Sequence, residues 1–163
     1  MIEKAIFLDR DGVLINNHDH YYIWKTEQMN LIDGVPENLL QLAKAGFSLF
    51  IVSNQGGIAK GLYSREDTES LHYQLIRIFE SKGIHIVDIA YCPHHPEIEK
   101  CLCRKPSPLM LDKLMAKYQI DSKKSFMIGD SESDMEAAKL AGVGAIRINA
   151  NQNMQPFISF LIG

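Results

Sequence analysis

Residues 5–12 read Ala-Ile-Phe-Leu-Asp-Arg-Asp-Gly, and this octapeptide is the strongest indication of fold and function in the chain. Its first four residues are all apolar, which is typical of a parallel strand buried on both faces. Asp9, Asp11 and Gly12 follow at once. Because ligands of open α/β sheets bind beyond the carboxyl ends of strands, we expect the two acids at the mouth of a crevice. There they can hold a hard cation, and one can act as a nucleophile while the other moves protons. An ordinary Asp-Gly turn is the alternative.

The rest of the chain alternates strands with helices. Strands are predicted at residues 5–8, 48–52, 84–90, 125–128 and 145–148, and helices at 36–44, 64–82, 108–118 and 132–141. This alternation predicts an α/β fold, a three-layer Rossmann-like parallel sheet of about five strands with helices on both faces. We expect one domain over residues 1–163, with the tail from residue 149 packed on its body.

Composition argues against several classes of protein. The chain has 163 residues, 46% hydrophobic and 23% charged, which is typical of a globular domain. No apolar run approaches the ~20 residues that span a bilayer, and the first residues do not resemble a signal peptide, so a cytoplasmic protein without a membrane partner is expected. A net charge of −3 does not favour a nucleic-acid partner. We expect a monomer.

Polar side chains also follow other predicted strands. Ser53-Asn54-Gln55-Gly56-Gly57 forms a polar loop, Asp130 and Asp134 surround the start of a helix, and Lys105 precedes a proline. Each alone has an ordinary reading: a turn, a helix cap or a solvated base. Because parallel strand ends converge on one crevice, together they predict acids around Mg²⁺, with Lys105 and Ser53 donating to a phosphate. Phosphoryl transfer to a carboxylate requires this set of groups.

Asp-Arg-Asp-Gly-Val, Ser53-Asn54, Lys105 and Gly-Asp-Ser-Glu-Ser-Asp resemble, in order, the four motifs of the haloacid dehalogenase superfamily of phosphatases. The resemblance extends from residue 5 to about residue 148. It implies a two-step hydrolysis in which Asp9 attacks phosphorus and forms an aspartyl-phosphate. Asp11 would protonate the leaving alcohol and then help water to cleave the intermediate.

The same resemblance assigns the remaining groups. Mg²⁺ would be held by Asp9, the backbone carbonyl of Asp11, and Asp130; Ser53, Asn54 and Lys105 would bind the phosphoryl group, and Asp134 would tether Lys105 or a metal-bound water. Many members of the superfamily carry a large cap domain. Here only about forty residues separate Asp11 from Ser53, and they include a helix and a strand, so no large cap is expected.

All three cysteines lie within twelve residues, in a polar loop rich in proline. Cys92-x-His94 and Cys101-x-Cys103 supply the four soft ligands of a structural Zn²⁺ site. His94 is preferred to His95 because its spacing from Cys92 matches that of the second pair. Four protein ligands close the site, so the metal is expected to stabilise the loop and to position Arg104 and Lys105.

This loop, with Arg-Lys-Pro after it, resembles the branch that contains bacterial D,D-heptose 1,7-bisphosphate phosphatases and histidinol-phosphate phosphatases. The resemblance implies a small phosphorylated metabolite as partner: D-glycero-D-manno-heptose 1,7-bisphosphate, with Arg104 on its second phosphate, or alternatively histidinol phosphate. Tyr21, Tyr22 and Trp24 either line the substrate mouth or only cover the edge of the core. A nucleic-acid 3′-phosphatase and a non-catalytic, zinc-stabilised binding module are further alternatives.

Overall fold

Five parallel strands form a single sheet in the computed structural model of the protein, which describes residues 1–163. The strands are β1 (Ala5–Leu8), β2 (Ser48–Asn54), β3 (Ile86–Cys92), β4 (Phe126–Gly129) and β5 (Gly144–Arg147). Their order across the sheet is β3-β2-β1-β4-β5, and every neighbouring pair is parallel. The predicted α/β fold with its parallel sheet is therefore confirmed.

Helices cover both faces of this sheet. They are α1 (Val35–Lys44), α2 (Arg65–Ser81), α3 (Leu109–Tyr118), α4 (Glu132–Ala141) and α5 (Gln155–Ile162). Side chains of α1, α2 and α5 belong to one hydrophobic core, and those of α3 and α4 belong to the other. The predicted element boundaries agree with the structure to within two residues, and the apolar end of the tail is the additional helix α5.

The central strand β1 explains why its sequence is wholly apolar. Ile6 and Leu8 enter the core beneath α1 and α2, whereas Ala5 and Phe7 enter the core beneath α3 and α4. All four side chains are fully buried. Alternate residues of a strand point to opposite faces, so a strand covered on both faces is apolar at every position.

The strand order reverses at β1, and this reversal opens a crevice. From β1 the chain passes outward through β2 to β3 and then returns to β4 on the other side of β1. The connections that leave β1 and β4 therefore diverge, and residues 9–11 and 130–134 flank the gap. The segment between β1 and α1 contains one short 3₁₀ turn, Thr26–Gln28.

Two helices that lead away from strands begin with a capping box. The Ser64 hydroxyl accepts a hydrogen bond from the Asp67 backbone, as its sequence predicts, and the Asp67 carboxylate returns the contact. Ser131 and Asp134 make the same arrangement at the start of α4. None of the helices combines the length and apolar character that crossing a bilayer requires.

Candidate active site

A cavity of about 300 Å³ lies beyond the carboxyl ends of the strands. It is lined by the predicted site residues of all four motifs, namely Asp9, Asp11, Ser53, Asn54, Arg104, Lys105, Asp130 and Asp134. The structure thus brings together groups that are separated by up to 125 positions in the chain, from Asp9 to Asp134. Topology brings them near one another, because each lies at the carboxyl end of a parallel strand, in the connection that follows it or in the first turn of the next helix.

Lys105 occupies the centre of this arrangement. Its Nζ lies 3.0 Å from Asp9 Oδ1 and 2.6 Å from Asp134 Oδ1, and it donates to the Val52 carbonyl at 2.8 Å. The side chain is only 2% exposed. Burial lowers the pKa of Lys105, but the charges of Asp9 and Asp134 outweigh burial and leave its pKa raised. The lysine is therefore held in its charged form.

Asp9, Asp130 and Asp134 form a cluster whose oxygens lie within 4.8 Å of one another. Burial raises the pKa of Asp9 well above its usual range, against the attraction of Lys105, and the charges of Asp134 and Asp130 raise it further. Burial also raises the pKa of Asp130. Three carboxylates thus share one ammonium group. This excess of negative charge, carried on oxygen donors, fits a divalent cation such as Mg²⁺.

The three acids are not equally available to a cation. Asp134 Oδ2 accepts from the Ser131 hydroxyl at 2.9 Å, and it also accepts from the backbone N–H groups of Asp130 and Ser131 at 3.2 Å each. Since Lys105 contacts its other oxygen, Asp134 is fully engaged, which leaves Asp9 and Asp130 as the open carboxylates. The Asp130 carboxylate packs directly against the backbone of Gly12, which has φ +85°. Any side chain at position 12 would displace it, because a Cβ there would lie 2.2 Å from Asp130 Oδ2.

The side chain of Asp11 lies outside that cluster and is held by a buried arginine. Arg10 Nε donates to Oδ1 at 2.9 Å and Arg10 Nη2 donates to Oδ2 at 3.0 Å, a bidentate pair. Arg10 is fully buried; it also donates to the Ile23 carbonyl, and its Nη1 lies 3.1 Å from His72 Nε2. Because Arg10 can only donate, His72 accepts at Nε2 and is neutral. No motif in the sequence indicates either role.

Ser53 and Asn54, predicted to begin a polar loop, are the last two residues of β2. Ser53 is buried, and its hydroxyl accepts from the Gln55 amide at 2.7 Å. Both ends of the Asn54 amide contact the Lys105 backbone: its Nδ2 donates to the carbonyl and its Oδ1 accepts from the N–H, each at 3.0 Å. Asn54 therefore lines the cavity while it holds the segment that carries Lys105.

The outer part of the cavity is built from aromatic and basic side chains. Tyr21, Tyr22, His95 and Arg104 line it. Arg104 Nη1 donates to the His94 carbonyl at 3.1 Å, which fixes the guanidinium beside the zinc-ligand loop. Trp24 does not line the cavity; its ring stacks on Tyr63 with centroids 6.1 Å apart.

The four predicted zinc ligands converge at the end of β3. Their donor atoms lie within 4.8 Å of one another. Cys92 Sγ is 3.7 Å from Cys101 Sγ, 3.0 Å from Cys103 Sγ and 3.4 Å from His94 Nδ1. A tetrahedron with Zn–S bonds of about 2.3 Å has S···S edges of about 3.8 Å. The Cys92–Cys101 distance matches this edge and the Cys92–Cys103 distance is shorter, so the number and type of the donors, more than their exact spacing, fit a closed zinc site. His95 faces the cavity and not this cluster.

Comparison with known proteins gives a consistent result. The profile of the family described as haloacid dehalogenase-like hydrolase matches residues 9–148. The chain belongs to this family. The predicted superfamily is thereby confirmed, and so is the prediction of a hydrolase of this type.

Individual relatives are more specific. The chain is 41% identical over 149 residues to D-glycero-beta-D-manno-heptose-1,7-bisphosphate 7-phosphatase of Rhodopseudomonas palustris, covering 88% of this chain and 82% of the relative. It is 38% identical over 146 residues to D-glycero-alpha-D-manno-heptose-1,7-bisphosphate 7-phosphatase of Photorhabdus laumondii, covering 86% of this chain and 79% of the relative. The crystal structure of D,D-heptose 1,7-bisphosphate phosphatase from B. bronchiseptica, complexed with magnesium and phosphate, superposes with a TM-score of 0.83 at 27% identity, covering 96% of this chain and 86% of that one.

The ion pairs of Lys105 lead to a prediction about stability. In Lys105→Met two buried carboxylates lose their partner, so we expect the free energy of unfolding at pH 7.5, without divalent ions, to fall by about 3–5 kcal/mol. The loss should shrink at pH 5, because Asp9 can then take up a proton. Urea denaturation measures both values. Lys117→Met, which removes an ion pair with Asp88 from a side chain that is 63% exposed, should cost less than about 1 kcal/mol. Equal losses in the two variants would contradict the prediction.

His72 leads to a prediction about acid sensitivity. Burial, together with the charge of Arg10, lowers its pKa from 6.5 to about 3. Between pH 6.5 and about pH 3, His72 is protonated in the unfolded chain but neutral in the folded protein. Its contribution to the free energy of unfolding is therefore fully present above pH 6.5 and is lost as the pH falls. We expect His72→Gln to remove about 2 kcal/mol of the loss in unfolding free energy between pH 7.5 and pH 5. His85→Gln, at an exposed position, should leave the pH profile unchanged. A wild-type profile in His72→Gln would refute the assignment.

Proposed function

We propose that this protein is a Mg²⁺-dependent phosphatase that hydrolyses a sugar bisphosphate, heptose 1,7-bisphosphate, through an aspartyl-phosphate. The observation that carries the proposal is the placement of Lys105 between Asp9 and Asp134, with Asp130 beside them, in a cavity at the switch point of the sheet. The names of the 38–41% identical relatives support the substrate class.

Asp9 is the nucleophile in this proposal. Its Oδ1 accepts from Lys105 Nζ and from the Arg10 backbone N–H at 2.9 Å, so we assign the attack on phosphorus to Oδ2. Lys105 and Ser53 would bind the transferring phosphoryl group, and Asn54 would keep Lys105 in position. Asp134 would fix the Lys105 ammonium through the short contact described above. These groups orient the phosphate and neutralise its charge, which is what phosphoryl transfer requires of a protein.

Asp11 is the general acid and base in this proposal. It would donate to the oxygen of the leaving alcohol and then take a proton from the water that cleaves the aspartyl-phosphate at phosphorus, which restores Asp9. Its carboxylate is held by Arg10 on one side and lies 3.3 Å from the Gln55 amide on the other. Mg²⁺ would be held by Asp9, Asp130 and the backbone carbonyl of Asp11, and when bound it supplies positive charge to the phosphoryl oxygens.

The outer cavity favours a second anionic group on the substrate. Arg104 stands there with its guanidinium fixed by the His94 carbonyl, and a guanidinium binds phosphate with bidentate geometry. Histidinol phosphate, the alternative, presents an ammonium group at that end of the molecule. For this reason the bisphosphate is preferred. A cytoplasmic location, a monomeric state and the lack of a nucleic-acid partner stay predictions.

A phosphate-release assay tests the proposal. We expect the wild type to hydrolyse heptose 1,7-bisphosphate with a kcat/KM at least about tenfold above that for histidinol phosphate, and we expect Asp9→Asn to be inactive because the amide cannot attack phosphorus. Arg104→Gln should lower kcat/KM for the bisphosphate by more than for an aryl monophosphate. Asp19→Asn, at a side chain that is 85% exposed, is the matched control and should retain activity. Equal rates for wild type and Asp9→Asn would rule out the proposed mechanism.

The cysteine cluster is proposed to bind one Zn²⁺. We expect elemental analysis of the purified protein to find about one zinc per chain, and Cys101→Ser to lose it, because three ligands bind zinc less tightly than four. Chelation should lower the melting temperature of the wild type but not that of Cys101→Ser. His95→Gln is the control at the neighbouring histidine and should retain zinc. A wild-type protein that contains no zinc, iron or related metal would disprove this assignment.

A further inference from the structure

Tyr63 and Gln55 form a buried pair that contacts two of the proposed catalytic groups at once. The Tyr63 hydroxyl donates to Gln55 Oε1 at 2.6 Å. Gln55 Nε2 lies 2.7 Å from Ser53 Oγ and 3.3 Å from Asp11 Oδ2. Tyr63 and Gln55 are 6% and 2% exposed, so water does not compete for these bonds. We propose that Tyr63 and Gln55 are positioning residues that set the orientation of the Ser53 hydroxyl and the Asp11 carboxylate, an inference that rests on the proposed function.

The orientation of the Gln55 amide follows from its neighbours. Its Nε2 faces Asp11 Oδ2 and Ser53 Oγ, two oxygens that can accept its hydrogen bonds. Its oxygen then faces Tyr63, which donates to it. If the tyrosine hydroxyl were absent, the buried amide oxygen would lose its partner, and rotation of the amide would become the way to recover one. Tyr63 thus keeps the two N–H groups of Gln55 directed at the catalytic side.

The hydrogen bond from Gln55 also determines in which direction the Ser53 hydroxyl can donate. Its only side-chain hydrogen bond is the one it accepts from Gln55, so one lone pair of Oγ is occupied and its own proton is available. The cavity is where that proton can find an acceptor, because Ser53 lines it while the rest of the side chain is buried. A serine prepared in this way donates to a phosphoryl oxygen without first giving up another donor interaction.

Packing keeps the pair in place. A Cβ at Gly57 would lie 2.2 Å from Tyr63 Cε1, so the ring rests directly on the backbone of the loop that carries Gln55. The Trp24 ring also stacks on Tyr63, with an interplanar angle of 9°. Burial raises the pKa of Tyr63 to about 12, so its hydroxyl remains a donor throughout the neutral range. The ring has little freedom to turn away from Gln55.

Tyr63→Phe tests the proposal, because it removes the hydroxyl and keeps the ring. We expect kcat for phosphate release from heptose 1,7-bisphosphate to fall about tenfold with KM within about twofold, which is the pattern of a lost positioning contact. Tyr118→Phe is the matched control, since it removes a 2.8 Å hydrogen bond to Asp88 far from the cavity. We expect wild-type kinetics there. Wild-type kcat in Tyr63→Phe would overturn the proposal and leave the proposed function intact.

A double-mutant cycle separates positioning from general stability. Gln55→Leu should reduce kcat by at least as much as Tyr63→Phe, and adding Tyr63→Phe to Gln55→Leu should cause no further loss, because Tyr63 acts through Gln55. Additive losses would contradict this. If Gln55→Leu does not fold, Gln55→Met takes its place in the cycle.

A crystal structure of Tyr63→Phe supplies a readout that does not need turnover. We expect Gln55 Nε2 to move beyond 3.5 Å from Ser53 Oγ or from Asp11 Oδ2. If all three side chains keep their positions, the proposal fails even for a wild-type protein that hydrolyses none of the substrates. If they move and the wild type is inactive, the positioning role stands and the proposed function fails.

Discussion

Burial of the Lys105 ammonium between Asp9 and Asp134 is the interaction on which the rest of the site depends. Burial raises the pKa of Asp9 and opposes the charge on Lys105, and the two carboxylates are what keep the pKa of Lys105 raised. The contact joins the end of β1, the segment before α3 and the first turn of α4. It therefore fixes the relative positions of three connections that the sheet only brings near one another.

A second buried cation does the same for Asp11. Arg10 lies between two residues that face the cavity, yet its own side chain points into the protein and reaches the Ile23 carbonyl and His72. The Asp-Arg-Asp sequence thus places a buried base between the two acids, and that base holds the second acid through a bidentate pair. Lys105 pairs with Asp9 and Asp134, whereas Arg10 pairs with Asp11.

The sequence predicted those parts of the structure that depend on local pattern. The sheet could be predicted from the apolar run before Asp9 and from the alternation of strands and helices after it. The groups that line the cavity could be predicted as well, because the carboxyl ends of parallel strands meet at one edge of the sheet. The spacing of Cys92, His94, Cys101 and Cys103 likewise gave a cluster that the fold brings together. The contact between Arg10 and His72 could not be predicted, because the two residues are 62 positions apart and His72 belongs to no motif. The same holds for the contact between Gln55 and Tyr63, because Tyr63 belongs to no motif.

The paired hydrogen bonds from Asn54 to the Lys105 backbone connect β2 to the loop that holds the cysteines. Lys105 stands two positions after Cys103, so a change in the geometry of the thiolates reaches the ammonium through very little flexible chain. Two ligands that bias the same segment influence each other's affinity reciprocally. With zinc bound as proposed, the cysteine cluster and a phosphate beside Lys105 would both act on this short segment, so the binding of each would be coupled to the binding of the other.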